Sequence, residues 1–89
     1  MEDRNTIQVA IVDGQQEVRE RLAVLLRGTP GFRCAATFGS MEHALQALRP
    51  PLPDVVLCDI RLPGKSGIEG IQILKKRYPD LSMIVLTGC

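Results

Sequence analysis

The sequence predicts an α/β domain built on a mostly parallel sheet with helices on both faces. Three observations predict it. Short apolar runs alternate with stretches of helical periodicity along all 89 residues, and strict strand–helix alternation implies right-handed crossovers and a parallel sheet. The apolar residues are mostly Leu, Ile, Val and Ala, and only Phe32, Phe38 and Tyr78 are aromatic. The run Val55-Val56-Leu57-Cys58 is bounded by turn residues and ends on the carboxylate of Asp59, which reads as a strand buried on both faces.

Taken in order, residues 7–12 form a strand that ends at Asp13-Gly14. Residues 15–27 carry Val18, Leu22, Leu25 and Leu26 at i, i+4, i+7 and i+8. That spacing places one apolar stripe on a helix, which Gly28 and Pro30-Gly31 stop. Residues 32–38 are a second, mixed strand. Ser40 caps a helix over 40–49 with Met41, Ala44, Leu45 and Leu48 inward. Pro50, Pro51 and Pro53 separate it from a third strand over 54–58. Residues 66–78 form a third helix with Ile68, Ile71, Leu74 and Tyr78 on one side, closed by Pro79, and residues 82–86 form a fourth strand. The chain reads as one domain over residues 1–89, without repeat or linker.

Composition excludes several function classes. Eleven basic and ten acidic residues give a net charge of +1, whereas nucleic-acid binding calls for a clustered basic face. No apolar run approaches the ~20 residues of a membrane span, and the polar start, residues 1–5, does not resemble a signal peptide. Cys34, Cys58 and Cys89 are odd in number and lack metal spacing, as expected of reduced thiols in a cytoplasmic protein. Cys58 is expected as a small buried residue. His43, with no ligand spaced for a metal, is expected as a partly exposed structural residue.

In an open parallel sheet the ligand crevice lies at the carboxyl ends of the strands. Asp13, Asp59 and Thr87 close three strands at that end. A carboxylate accepts a phosphoryl group when a divalent cation offsets the repulsion between anions. Mg²⁺ takes oxygen ligands and keeps several waters, and Asp13, Asp59 and a backbone carbonyl of the following loop are candidate donors. The Thr87 hydroxyl is placed to hydrogen-bond a phosphoryl oxygen on Asp59. Lys65 and Ser66 read as a solvated loop. A phosphatase with an aspartate nucleophile would start with Asp-x-Asp after the first strand, which Asp13-Gly14-Gln15 does not fit. Nucleotide binding would need a glycine-rich loop there, and Gly14 alone is too little.

At these residues the chain resembles the receiver domain of two-component response regulators. The matching segments are Ile11-Val12-Asp13, Val55-Val56-Leu57-Cys58-Asp59 with Pro63-Gly64 and Gly67, and Ile84-Val85-Leu86-Thr87. The resemblance implies a flavodoxin-like sheet of order 2-1-3-4-5 and a signalling module that is not itself an enzyme. It implies that Asp59 takes phosphate from a histidine kinase, that Thr87 reorients on phosphorylation, and that the carbonyl of Arg61 joins Asp13 and Asp59 around Mg²⁺. The helix around residues 18–26 and the proline-rich approach to the third strand look most like receivers joined to helix-turn-helix outputs, with DNA contacted by the output and not by this segment.

Two departures stand out. The family usually carries a second acidic residue where this chain has Gly14, so weakened Mg²⁺ binding is expected, and a phosphorylation-independent pseudo-receiver is the alternative function. The family also continues through a fourth helix, a fifth strand bearing a phosphate-binding lysine and a fifth helix, whereas this sequence runs to Cys89. The expected architecture is therefore a receiver truncated after its fourth strand. An apolar edge at residues 83–86 then invites self-association or a completing partner.

Overall fold

Four strands and three helices alternate along the chain: β1 (Ile7–Val12), α1 (Gln16–Arg27), β2 (Phe32–Phe38), α2 (Met41–Ala47), β3 (Val55–Asp59), α3 (Gly67–Arg77) and β4 (Ser82–Leu86). The computed structural model describes residues 6–59 and 67–86. The strands form one sheet in the order β2-β1-β3-β4, every pairing parallel. Stepping out from β1 to β2 on one side and to β3 and β4 on the other puts the connecting helices on both faces.

Each element boundary has a local cause. Ser40 takes extended dihedrals and its hydroxyl accepts the His43 backbone N–H at 3.1 Å, which caps α2 as its sequence position suggests. That helix ends at Ala47, two residues short of the span read from periodicity, because Leu48 turns to extended dihedrals ahead of the prolines. The helix α3 is closed by Lys75, whose Nζ donates to the carbonyls of Pro79 and Leu81 at 2.9 and 2.8 Å. Asp54 precedes β3 and clasps β1: its N–H donates to the Gln8 carbonyl at 2.8 Å and its carboxylate accepts the Gln8 N–H at 2.7 Å.

The alternation of side chains divides the core in two. Ala10, Val12, Val56 and Cys58 face α2 and α3, where they pack with Met41, Ala44, Leu48 and Leu74. Val9 and Ile11 face α1 and pack with Ala23, with Leu22 and Leu57 beside them. A bulge complicates β2: Val9 pairs with Cys34 but Ala10 pairs with Ala36, leaving Ala35 unpaired. Cys34 therefore joins the α1 face while Ala36 and Phe38 join the other.

Two expected inward positions are corrected. Leu25 is 65 % exposed, and α1 instead buries Ala23 with Leu22 and Leu26 partly covered. The helix lies over β1 and β2, and among the described residues no element lies over the side of its stripe that carries Leu25. Ile68 is 57 % exposed; α3 turns Gly67, Gly70 and Leu74 inward instead. Gly70 lets α3 approach α2 closely, since a Cβ there would collide with the fully buried side chain of Met41. The Arg77 guanidinium donates to the Leu45 carbonyl at 2.7 Å and the Tyr78 hydroxyl to the Leu48 carbonyl at 3.2 Å, tying the two helices at their far ends.

Candidate functional site

The register between β1 and β3 builds the site. Val12 pairs with Cys58, so the next residue of each strand, Asp13 and Asp59, emerges at the same level from adjacent strands. Asp59 pairs in turn with Leu86, the last residue of β4. The two acidic residues expected at the crevice thus stand at the ends of neighbouring strands. Arg61 and Thr87 lie outside the described residues, as do Pro63, Gly64, Lys65, Ser66 and Cys89.

Asp13 is only 3 % exposed, the one buried charged residue among those described. Burying a carboxylate is costly unless it is hydrogen-bonded. Its Oδ1 accepts the Gln15 N–H at 2.8 Å, its own N–H donates to the Phe38 carbonyl at 3.0 Å, and its carbonyl accepts Nη1 of Arg19 at 2.7 Å. The first turn of α1 lacks a side-chain cap at Gln15, and the Asp13 carboxylate two residues earlier orders that entry. Asp59 is half-buried at the tip of β3.

Cys58 lies between the two strand ends. It is fully buried, and its thiol is pushed up to about 11, first by burial and then by the negative charges of Asp59 and Asp13. A thiol so placed is inert at neutral pH. Its Sγ lies 3.5 Å from the Asp59 carbonyl, which accepts from it. His43 is exposed and meets Phe38 edge-to-face at 5.3 Å, which fits the structural part expected of it.

A hard divalent cation suits this donor set, since carboxylate oxygens at adjacent strand ends are the ligands Mg²⁺ prefers. Among the described residues no group of three His, Cys, Asp or Glu side chains converges, so protein carboxylates alone do not make a closed cage. Gly14, exposed beside Asp13, adds no donor of its own. Sequence reasoning missed Arg19. On a helix with mixed charges it reads as one more solvated cation, and only its distance to Asp13 distinguishes it.

Comparison with known proteins places the chain. Residues 9–89 match the response regulator receiver domain. The chain is similar to the transcriptional regulatory protein DegU of Brevibacillus brevis, at 35 % identity over 96 % of this chain and 36 % of that protein. It is similar to the DNA-binding transcriptional activator DevR/DosR of Mycobacterium tuberculosis, at 36 % identity over 92 % of this chain and 38 % of that protein. A solved isolated receiver domain of RcsB from Salmonella enterica serovar Typhimurium, with a beryllofluoride phosphomimetic, superposes with a TM-score of 0.83 at 29 % identity, covering 93 % of this chain and 62 % of that one. The chain thus spans little more than a third of the length of these curated relatives. Among the described residues no helix is long and apolar enough to cross a membrane. With its parallel flavodoxin-like sheet and its family match over nearly the whole length, the chain belongs to the receiver domain family of two-component response regulators.

Proposed function

We propose that this receiver is a cytoplasmic phosphoacceptor: Asp59 takes a phosphoryl group from a histidine kinase, and the change switches an output domain. The observation that supports this reading is the β1–β3 register, in which Val12 pairs with Cys58, so that Asp13 and Asp59 follow at the carboxyl ends of neighbouring strands. In the transfer, an Asp59 oxygen attacks phosphorus, the P–N bond to the kinase histidine breaks, and the released imidazole takes up a proton. Asp13, Asp59 and the Arg61 carbonyl would hold Mg²⁺, which when bound neutralises phosphoryl oxygens and draws them toward the carboxylate. Asp13 contributes a charge fixed in place by its hydrogen bond from Gln15. Thr87 is proposed to hydrogen-bond the phosphoryl group and carry the switch onward.

The test is incubation with Mg²⁺ and a small-molecule phosphodonor, followed by intact-mass measurement. The expected result is a mass increase of one phosphoryl group that Asp59→Asn abolishes. No increase in the wild-type chain, with the fold intact by amide NMR, would overturn it and favour the second reading, a pseudo-receiver that binds partners without phosphate. The specific observation on that side is Gly14, which supplies no carboxylate beside Asp13. Gly14→Asp should tighten Mg²⁺ binding if the rest of the site is intact and change nothing in a pure scaffold.

The partner surface proposed is β4, which lies at the edge of the sheet among the described residues, with Ile84 50 % exposed and Val85 also exposed. Unpaired backbone groups beside apolar side chains favour strand pairing between copies or with a completing partner. A well-folded monomer by sedimentation at micromolar concentration would refute this.

A further inference from the structure

We propose that Arg19 is a positioning residue for the acidic crevice, acting through Asp13; the inference rests on the phosphoacceptor reading above. Arg19 straddles Gly14. Its guanidinium Nη1 donates to the Asp13 carbonyl at 2.7 Å and its backbone N–H donates to the Gln15 carbonyl at 3.0 Å. The second of these is the ordinary helical bond of the first turn of α1, so it is the guanidinium that ties the carbonyl before the glycine to the helix that begins after it. The same three-residue loop is closed from within by the Gln15 N–H on Asp13 Oδ1 at 2.8 Å, and it is pinned to β2 by the Asp13 N–H on the Phe38 carbonyl at 3.0 Å.

Glycine is the residue with the most conformational freedom to lose, and here it directly follows a carboxylate whose placement decides the site. A clamp across it restricts that freedom. Space for the clamp is provided on the facing loop: a Cβ at Gly39 would stand 3.2 Å from Nη1 and 3.5 Å from Cζ of Arg19, tighter than ordinary contact. Gly39 thus lets the planar guanidinium lie against the β2–α2 connection while it reaches Asp13. Arg19 is half-buried, and its fork of donors suits a fixed hydrogen-bonding position better than a lysine would.

Charge and positioning predict opposite signs. A cation beside the crevice repels Mg²⁺, so if Arg19 acted by charge alone its removal would tighten the metal. If it acts by holding Asp13, its removal loosens the metal, as loss of groups that orient metal ligands does. The experiment is calorimetric titration of the chain with MgCl₂, together with amide exchange at Asp13 and Gln15, for wild type, Arg19→Met and Arg19→Gln. The expected result is about tenfold weaker Mg²⁺ binding in both variants, faster exchange at Gln15, and a thermal midpoint close to wild type. Should Arg19→Met not fold, Arg19→Gln, which keeps a polar stem but is too short to span to the carbonyl, carries the test alone. Unchanged or tighter Mg²⁺ binding in either folded variant overturns the positioning role and leaves the phosphoacceptor reading standing. A wild-type chain that binds no Mg²⁺ overturns that reading itself, and the positioning role with it.

Discussion

The two faces of the sheet are unequally covered. On one, α2 and α3 close over Ala10, Val12, Phe38, Val56 and Cys58, with Met41 and Leu74 at the centre and fully buried. On the other, among the described residues, α1 covers Val9 and Ile11, while Leu57 is only half-buried and Ile84 stands exposed above its β3 partner. Among the described residues, the α2–α3 side carries most of the buried packing, and the α1 side leaves more apolar surface exposed.

The largest expected effect tests that division at its centre. Met41→Ala should destabilise by about 2–5 kcal/mol, the range for emptying a fully buried site, read as a shift in urea midpoint. Gly70→Ala comes next, at about 1–3 kcal/mol, because the added methyl overpacks against Met41. The double variant should cost less than the sum, since shortening Met41 clears the space the new methyl needs. Additive losses would mean that the helices do not meet there.

A smaller effect follows from Cys58. Its folded thiol titrates near 11 against an ordinary value of 9.0, so between those values the folded state holds a proton that the unfolded state has lost. Stability should be unaffected below about pH 9 and fall as pH rises toward 11. Cys58→Ala should flatten that part of the profile, and an unchanged slope would remove the thiol from the account. The smallest effect is on the sparsely covered face: Leu25→Lys should shift stability by no more than about 0.5 kcal/mol. A clear loss there would show that the exposed side of α1 is covered in solution and would undo the contrast between faces.

How much of this was readable in the sequence depends on how local the cause is. The Ser40 cap is a short-range effect of one hydroxyl on one N–H, and it is legible. So is the placement of Asp13 and Asp59 at the ends of neighbouring strands, because strand ends in a parallel sheet share an edge. The inward positions that periodicity predicts for Leu25 and Ile68 fail for a different reason. Periodicity defines a stripe on a helix, but which side of the stripe is covered depends on the neighbour, and here Ala23 and Gly70 mark the true lines of contact. Arg19 was invisible because its meaning lies in a tertiary distance to Asp13. The sequence places Asp54 in β3, yet its side chain serves as a clasp just before the strand.

The bulge at Ala35 makes β2 behave like a reading frame. Upstream of it the side chains are in one phase with the sheet, and downstream they are in the other, so Cys34 and Phe38 serve opposite cores despite lying an even number of residues apart. Deleting Ala35 would remove no contact of consequence, because its side chain is exposed. It would nevertheless put half of the strand out of phase, turning either Cys34 away from α1 or Phe38 out of the main core. An alanine that touches little is thus the one-residue spacer that lets a single strand serve two interiors.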